Sequence, residues 1–310
     1  MLNPNDEQNL DLLVRISEMY YIQGKTQKEI SESLGLSRSG VSRLLQAARD
    51  QGIVQITVHN PARRLSELAQ ALTERFGLQE CRLCPGEENY DALQSRLAYQ
   101  AAESILALLK SGDIIGLGLS STVHRMVELL PGSSDYACLR FVPISGGTNM
   151  RRGAHINYTV EMAANKFRGD YVPLNLPLFI DEPTIVAKLL EEESIKECTS
   201  LWDRLSCAVV GIGASRVDVP DGLRVPSPST PNTAAVCGWF FDDDGQVVAS
   251  RSTTSISIQQ LHDTPAVLAV AGGRHKAAAI LSVLRAGFVT HLATDEVVAR
   301  AILHMDQQSL

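Results

Sequence analysis

No stretch of this chain approaches the roughly 18 to 20 uninterrupted apolar residues that a membrane-spanning helix requires, which excludes that class. Cysteine is sparse, six residues in 310, and its one close pair, Cys81 and Cys84, has no second pair to complete a four-ligand zinc site. Reduced thiols are therefore expected, with no metal and no cofactor. Basic charge is not in excess either. Twenty-eight Lys and Arg stand against 35 Asp and Glu, a formal charge of -7, so any contact with nucleic acid must be local. The seven His show no metal-binding spacing, and no Gly-x-Ser-x-Gly elbow surrounds a nucleophile. The segment Met1 to Glu7 is acidic and lacks the basic region and apolar run of a signal peptide, which points to the cytoplasm. What is there, 45% hydrophobic and 20% charged residues, is enough for two folded domains at about 100–200 residues each.

Residues 9 to 23 read as an amphipathic helix, with Leu10, Leu13, Val14, Ser17 and Tyr20 or Tyr21 on its buried face, and Gly24 stops it. Thr26 and Glu29 then form a capping box for a second helix that buries Ile30 and Leu34 and ends at Gly35. Ser37 caps a third helix. Val41, Leu44 and Leu45 face inward there, leaving Arg38, Ser39, Ser42, Arg43 and Gln46 outside. Two short helices joined by a Gly-containing turn are a helix-turn-helix. Between Ser33 and Arg49 there are three arginines and no acid, so positive charge is focused on the helix that would enter the major groove. The alternative is a merely solvated helix face. Ile53 to Val58 alternates toward a strand, Asn60-Pro61 breaks it, and the domain boundary is placed near residue 60.

Beyond it, after a helical pattern from Arg63 to Phe76, short apolar runs alternate with helical stretches, the signature of an α/β domain around a mainly parallel sheet. Strands are predicted at Glu80–Leu83, Ile114–Leu117, Leu139–Ile144, Cys207–Gly211, Ala235–Phe241, Ala266–Ala271 and Val289–Ala293. Helices are predicted around 91–110, 121–130, 157–168, 183–191, 274–286 and 295–303. The Pro220 to Pro231 stretch reads as a loop.

Three strand ends carry glycine and polar groups. Gly116, Gly118, Ser120, Ser121 and Thr122 lead from one strand into a helix, a geometry that favours anions. Gly272 and Gly273 repeat the design and add Lys276 in the first turn. Gly146 and Gly147, before Thr148 and Asn149, close the strand from Leu139; in open α/β sheets ligands gather beyond such ends. Each could also be a plain turn. Asp242-Asp243-Asp244-Gly245 reads as a hairpin turn, Asp295 and Glu296 as the cap of the last helix, and His155 as a weak ligand contact.

Together these segments resemble the SorC family of bacterial sugar-responsive transcriptional regulators along nearly the full chain. The resemblance is carried by Tyr20-Tyr21 with Thr26-Gln27-Lys28-Glu29-Ile30, Leu36-Ser37-Arg38-Ser39-Gly40-Val41-Ser42-Arg43-Leu44-Leu45, Gly52-Ile53-Val54-Gln55-Ile56, Gly112-Asp113-Ile114-Ile115-Gly116, Val209-Val210-Gly211-Ile212-Gly213, Cys237-Gly238-Trp239-Phe240-Phe241-Asp242, Ala271-Gly272-Gly273 with Lys276, and Leu292-Ala293-Thr294-Asp295-Glu296. It implies an N-terminal helix-turn-helix domain, residues 1–60, and an α/β phosphosugar-isomerase-like effector and oligomerisation domain, residues 61–310. The implied DNA contacts are Thr26, Gln27, Ser37, Arg38, Ser39, Ser42, Arg43 and Gln46. The implied effector contacts are Gly118, Ser120, Ser121, Thr122, Gly146, Gly147, Thr148, Gly272, Gly273 and Lys276. Two departures stand out. Ala234-Ala235 replace a Gly-Asp usual before the Cys-Gly segment, and Ser145 stands where a lysine able to form an imine would be. The expected protein binds operator DNA as a homodimer or tetramer and senses a sugar or sugar phosphate without covalent chemistry. The rival reading is a phosphosugar isomerase or deaminase with an added N-terminal domain. A third makes that domain a protein-docking module.

Overall fold

The computed structural model describes residues 4–54, 61–148, 155–214, 233–248 and 252–308. The chain divides into two compact units, Met1–Asn60 and Pro61–Leu310.

In the first unit a helix Pro4–Ser17 runs on as a π-helical turn Glu18–Ile22 and is followed by helices Gln27–Leu34 and Arg38–Asp50. Its core is Ile16, Met19, Ile30, Val41 and Leu45, with Leu34 and Leu44 packed against it. Leu13 and Ser17 of the predicted buried face are buried and Tyr20 packs on the core, but Leu10 and Val14 are exposed and Ile16, outside the predicted set, is buried. Leu10, Leu12, Leu13, Val14 and Ile16 form an apolar surface wider than one stripe, and the two following helices cover only part of it. Both caps are formed. Thr26 Oγ1 accepts from the Glu29 amide while the Glu29 carboxylate takes the Thr26 amide at 2.8 Å, and Ser37 Oγ accepts from the Gly40 amide at 3.1 Å. Gly35, at φ 66°, turns the chain between the two helices in the left-handed conformation that glycine tolerates best. The strand predicted at 53–58 is not present at Ile53 and Val54, and residues 55–58 lie outside the described residues.

The second unit is built on a seven-stranded, wholly parallel sheet. Its spatial order is Glu80–Cys84, His291–Asp295, Ala266–Val270, Cys207–Gly211, Ile114–Leu117, Arg140–Pro143, Asp170–Tyr171. The inner strands are buried on both faces, as their continuous apolar runs require. One face carries helices Tyr90–Leu108, Ser121–Leu129 and Ile156–Phe167 over a core that includes Leu97, Ile115, Phe141 and Phe167. The other face carries helices Pro61–Phe76, Ala277–Arg285 and Glu296–Gln308, over Val210, Phe288 and Leu292. The predicted helix at 274–286 opens as a 3-10 turn, Arg274–Lys276, before Ala277–Arg285.

The strand predicted at Ala235–Phe241 is instead a hairpin. Ala234–Val236 and Trp239–Phe241 pair antiparallel, because Cys237 (φ 48°) and Gly238 (φ 83°) turn the chain in the paired left-handed conformation that joins hairpin strands. With Gly213–Ala214 and Val247–Val248 they make a small second sheet. Asp242 closes the next turn, its Oδ1 accepting from the amides of Asp244 and Gln246 at 3.0 and 2.8 Å. The loop predicted at 220–231 and Asn149 lie outside the described residues.

From the strand Ile114–Leu117 the chain proceeds outward to Arg140–Pro143; from Cys207–Gly211 it proceeds the opposite way, to Ala266–Val270. The strand order therefore switches direction between Leu117 and Gly211. In an open α/β sheet this is where the following loops diverge and leave a crevice at the C-terminal edge.

Candidate nucleic-acid interface and effector site

On the helix Arg38–Asp50, Val41, Leu45 and Ala48 are buried, which turns Arg38, Ser39, Ser42, Arg43 and Gln46 to solvent. These side chains are partly pre-arranged. Arg43 Nε reaches the Ser39 carbonyl at 3.4 Å, and Ser37 and Ser39 hydroxyls share a hydrogen bond of 3.1 Å. Gln46 bonds Asp50 at 2.8 Å and Arg49 at 2.7 Å, so the C-terminal end of the exposed face is tied into its own network. Thr26 spends its hydroxyl on the capping box and Gln27 is half-buried beside it. The arginines and serines of the first two turns are the groups presented outward, in the position from which a recognition helix reaches base edges and phosphates.

Because all seven strands are parallel, the loops singled out by sequence lie on one edge of the sheet. Near the switch point, Gly118 donates its amide to the Val209 carbonyl at 2.9 Å, and a Cβ there would come within 3.1 Å of Cys237 Sγ. Ser120 leans on Gly211, where a Cβ would lie 2.3 Å from its Oγ, and accepts the Thr122 amide at 3.2 Å as the cap of the helix Ser121–Leu129. That helix is tied to Tyr90–Leu108 by Gln94, whose Nε2 donates to Ser121 Oγ at 3.3 Å, and by Arg125, which pairs with Asp91 at 3.0 Å.

The glycines at the other two loops serve close packing more than anion contact. Gly146 donates to the Thr254 carbonyl at 3.0 Å, and a Cβ on it would meet Thr254 Oγ1 and the backbone of Pro177. Gly147 donates to the Leu176 carbonyl at 2.8 Å. Gly273 donates to Asp295 Oδ2 at 2.7 Å, and Gly272 leaves room for that carboxylate and for Leu97. The anion cradle of glycine amides suggested by the sequence is thus largely occupied by protein acceptors. The donors that stay at this edge are the first-turn amides of Ser121–Leu129 that Ser120 does not take, the hydroxyls of Ser121 and Thr122, and two buried polar groups. Thr148 Oγ1 is buried with no hydrogen-bond partner among the described residues. Lys276, nearly buried, donates from Nζ to the Ile212 carbonyl at 3.1 Å and so bridges the ends of two neighbouring strands.

Several groups at this edge have roles that the sequence showed only in part or not at all. Asp295 caps the last helix through Oδ1, at 2.9 and 3.0 Å from the Val297 and Val298 amides, while its second oxygen fixes the Gly272-Gly273 turn. Only the capping half was visible in the sequence. Ser145 is fully buried, and its Oγ takes the Leu119 amide at 3.4 Å. His155 caps nothing with its ring, which stands 3.5 Å from the position of a Cβ on Gly147. Burial pushes the Cys237 and Cys207 thiols up to about 12, so neither is a nucleophile near neutral pH.

A helix-turn-helix followed by an α/β domain whose strand-end edge carries polar groups at a switch point is the architecture of ligand-responsive DNA-binding regulators. The second unit matches the family described as "Putative sugar-binding domain" over residues 60–304, and residues 16–51 match "Sigma-70, region 4". The "Sorbitol operon regulator" of Klebsiella pneumoniae is 30% identical over 311 residues, covering 95% of this chain and 98% of that protein. The "Transcriptional regulator LsrR" of Escherichia coli (strain K12) is 28% identical, covering 94% of each chain. The crystal structure of the full-length Klebsiella pneumoniae sorbitol operon regulator superposes with a TM-score of 0.74 at 28% identity, covering 95% of this chain and 98% of that one. The chain belongs to the SorC family of sugar-responsive transcriptional regulators. Among the described residues no helix is long and apolar enough to cross a membrane.

Proposed function

We propose that this regulator reads operator DNA through Ser37, Arg38, Ser39, Ser42 and Arg43, as a homodimer or a tetramer. Its effector, a sugar or sugar phosphate, binds at the C-terminal edge of the parallel sheet. The observation that carries the reading is the placement of Lys276, Thr148 and the Ser121-Thr122 helix start on that one edge, on either side of the direction switch of the sheet, where a crevice is expected. Lys276 supplies a positive charge in a nearly buried setting. Ser121, Thr122 and Thr148 supply hydroxyls for an anion or for sugar hydroxyls. Gly118, Gly146, Gly147, Gly272 and Gly273 keep the loops close enough together to form the crevice, and Ser120 holds the helix start in place. The relative named for the sorbitol operon makes sorbitol and its phosphate the first compounds to try.

Enzymatic turnover is not part of this reading. An isomerase or deaminase needs a carboxylate or His within proton-transfer reach of the bound carbon. Asp295 at this edge spends both oxygens on backbone amides, and Ala234 and Ala235 offer no acid, which leaves His155 and His275 as the groups whose proton transfer a conversion assay would detect. Ser145 cannot form an imine. The test is calorimetric titration of the full-length protein with free sugars, polyols and their phosphates, followed by assay of each binder for conversion. Saturable binding without turnover supports a sensor; turnover supports the enzyme instead.

A further inference from the structure

We propose that Tyr90 and His275 form an aromatic wall of the effector crevice that recognises the carbon skeleton of the ligand by packing against its C–H face. The proposal rests on the reading of the strand-end edge as the effector site, and it assigns two residues that no sequence pattern singled out.

Tyr90 opens the helix Tyr90–Leu108, which follows the edge strand Glu80–Cys84, so it lies on the same edge of the sheet as the other loops. His275 sits in the 3-10 turn after Ala266–Val270, next to Lys276 in the chain. The ring centroids of Tyr90 and His275 are 5.5 Å apart with planes at 60°, an open angle rather than a closed stack. Both rings stay accessible, Tyr90 at 41%. Gly273 makes the arrangement possible. At φ 95° it presents no side chain, and a Cβ there would stand 3.0 Å from His275 Cε1 and 3.5 Å from Tyr90 Cε2. The rings therefore stand beside Gly273, whose amide is bonded to Asp295. One helical turn beyond Tyr90, Gln94 holds Ser121 Oγ. His275, Tyr90, Gln94 and Ser121 thus form one continuous rim from the lysine turn to the hydroxyl-bearing helix start.

The chemistry of that rim is divided. Lys276 and Ser121 suit an anion or a hydroxyl, whereas the two ring faces suit apolar C–H groups and give an anion nothing. A bare phosphate would use only the polar part, and a sugar phosphate would use both. The pair therefore sets selectivity for the sugar over its head group.

The test is calorimetric titration of the full-length protein with inorganic phosphate, with glucose 6-phosphate, fructose 6-phosphate and sorbitol 6-phosphate, and with the unphosphorylated sugars. Tyr90→Ala and His275→Ala should each weaken the best-bound sugar compound roughly five- to tenfold, leave inorganic phosphate unchanged, and leave Tyr90→Phe near the parent value. Equal loss for phosphate and sugar compound, no loss for either, or a loss in Tyr90→Phe as large as in Tyr90→Ala would overturn the wall. If the parent protein binds none of the compounds, the effector reading itself falls and the wall with it. If it binds and the variants behave like the parent, only the wall falls.

Discussion

Replacing Lys276 with methionine separates a ligand-holding lysine from a merely structural one. Its Nζ bridges two strand ends through the Ile212 carbonyl at 3.1 Å, and methionine keeps much of the stem while removing charge and donor. In the unliganded protein the missing charge-assisted hydrogen bond costs about 1.5–3 kcal/mol, offset in part because a nearly buried ammonium is itself unfavourable. For a domain of this size each kcal/mol moves the melting midpoint by about 2–4 °C. A sugar phosphate at a hundredfold over its dissociation constant adds about 2.7 kcal/mol, or roughly 5–10 °C, to the parent protein. If Lys276 holds the phosphate, the variant forgoes a charge-assisted hydrogen bond of about 1.5–3 kcal/mol and binds roughly ten- to a hundredfold more weakly. The same ligand concentration then adds only about 0.4–1.4 kcal/mol. Melting of the full-length protein with and without ligand reads both numbers. A midpoint raised in Lys276→Met as much as in the parent would refute the role given to this lysine.

Arg38→Ala and Arg43→Ala should each reduce DNA affinity and flatten its dependence on salt, by a slope of about 0.9 for every phosphate the variant no longer neutralises, measured by anisotropy across a salt series. Unchanged slopes in both variants would remove the recognition-helix assignment and favour a protein-docking domain. Thr26→Ala, which deletes the hydroxyl of the capping box, should cost the N-terminal unit about 1 kcal/mol in denaturant melts followed by helix circular dichroism. Asp306 is nearly buried; burial alone would push its carboxyl up, but Arg285, at 2.9 Å, and Arg75 outweigh it and hold it below the ordinary carboxylate range. Its stabilising contribution is therefore full above the unfolded value of about 3.9 and is lost as pH falls through the lower folded value. Asp306→Asn should cost about 1–3 kcal/mol at neutral pH and converge on the parent protein in strong acid.

The sequence was most legible where local chemistry decides the outcome. Thr26 with Glu29, Gly35 and Ser37 defined the helix-turn-helix through caps and a left-handed turn, all within a few residues of one another. The strands Ile114–Leu117 and Cys207–Gly211 have the predicted bounds because buried parallel strands are continuous apolar runs between breakers. Where residues distant in the chain decide, the reading was incomplete. The need for glycine at 146 comes from Pro177 and Thr254, and at 272 from Asp295 and Leu97, neighbours that a local motif does not contain. The same holds for Leu10, Val14 and Ile16 of the first helix, whose burial depends on the two helices it meets, and for the second oxygen of Asp295. In the apolar run around Cys237 and Gly238, strand character on both sides concealed a turn made by two residues at positive φ.

The central claim is that one chain couples a sugar-binding crevice to a DNA-reading helix. Linkage requires that a ligand which changes DNA affinity bind the two DNA-binding states unequally, and that DNA in turn change ligand affinity by the same factor. The most direct measurement is therefore the affinity of the full-length protein for a DNA fragment it selects from a random pool, taken with and without its best-bound sugar or sugar phosphate at fixed salt. The account predicts a change of about tenfold or more, in either direction, with the reciprocal change in ligand affinity when DNA is present. Tight ligand binding that leaves DNA affinity unaltered would contradict it.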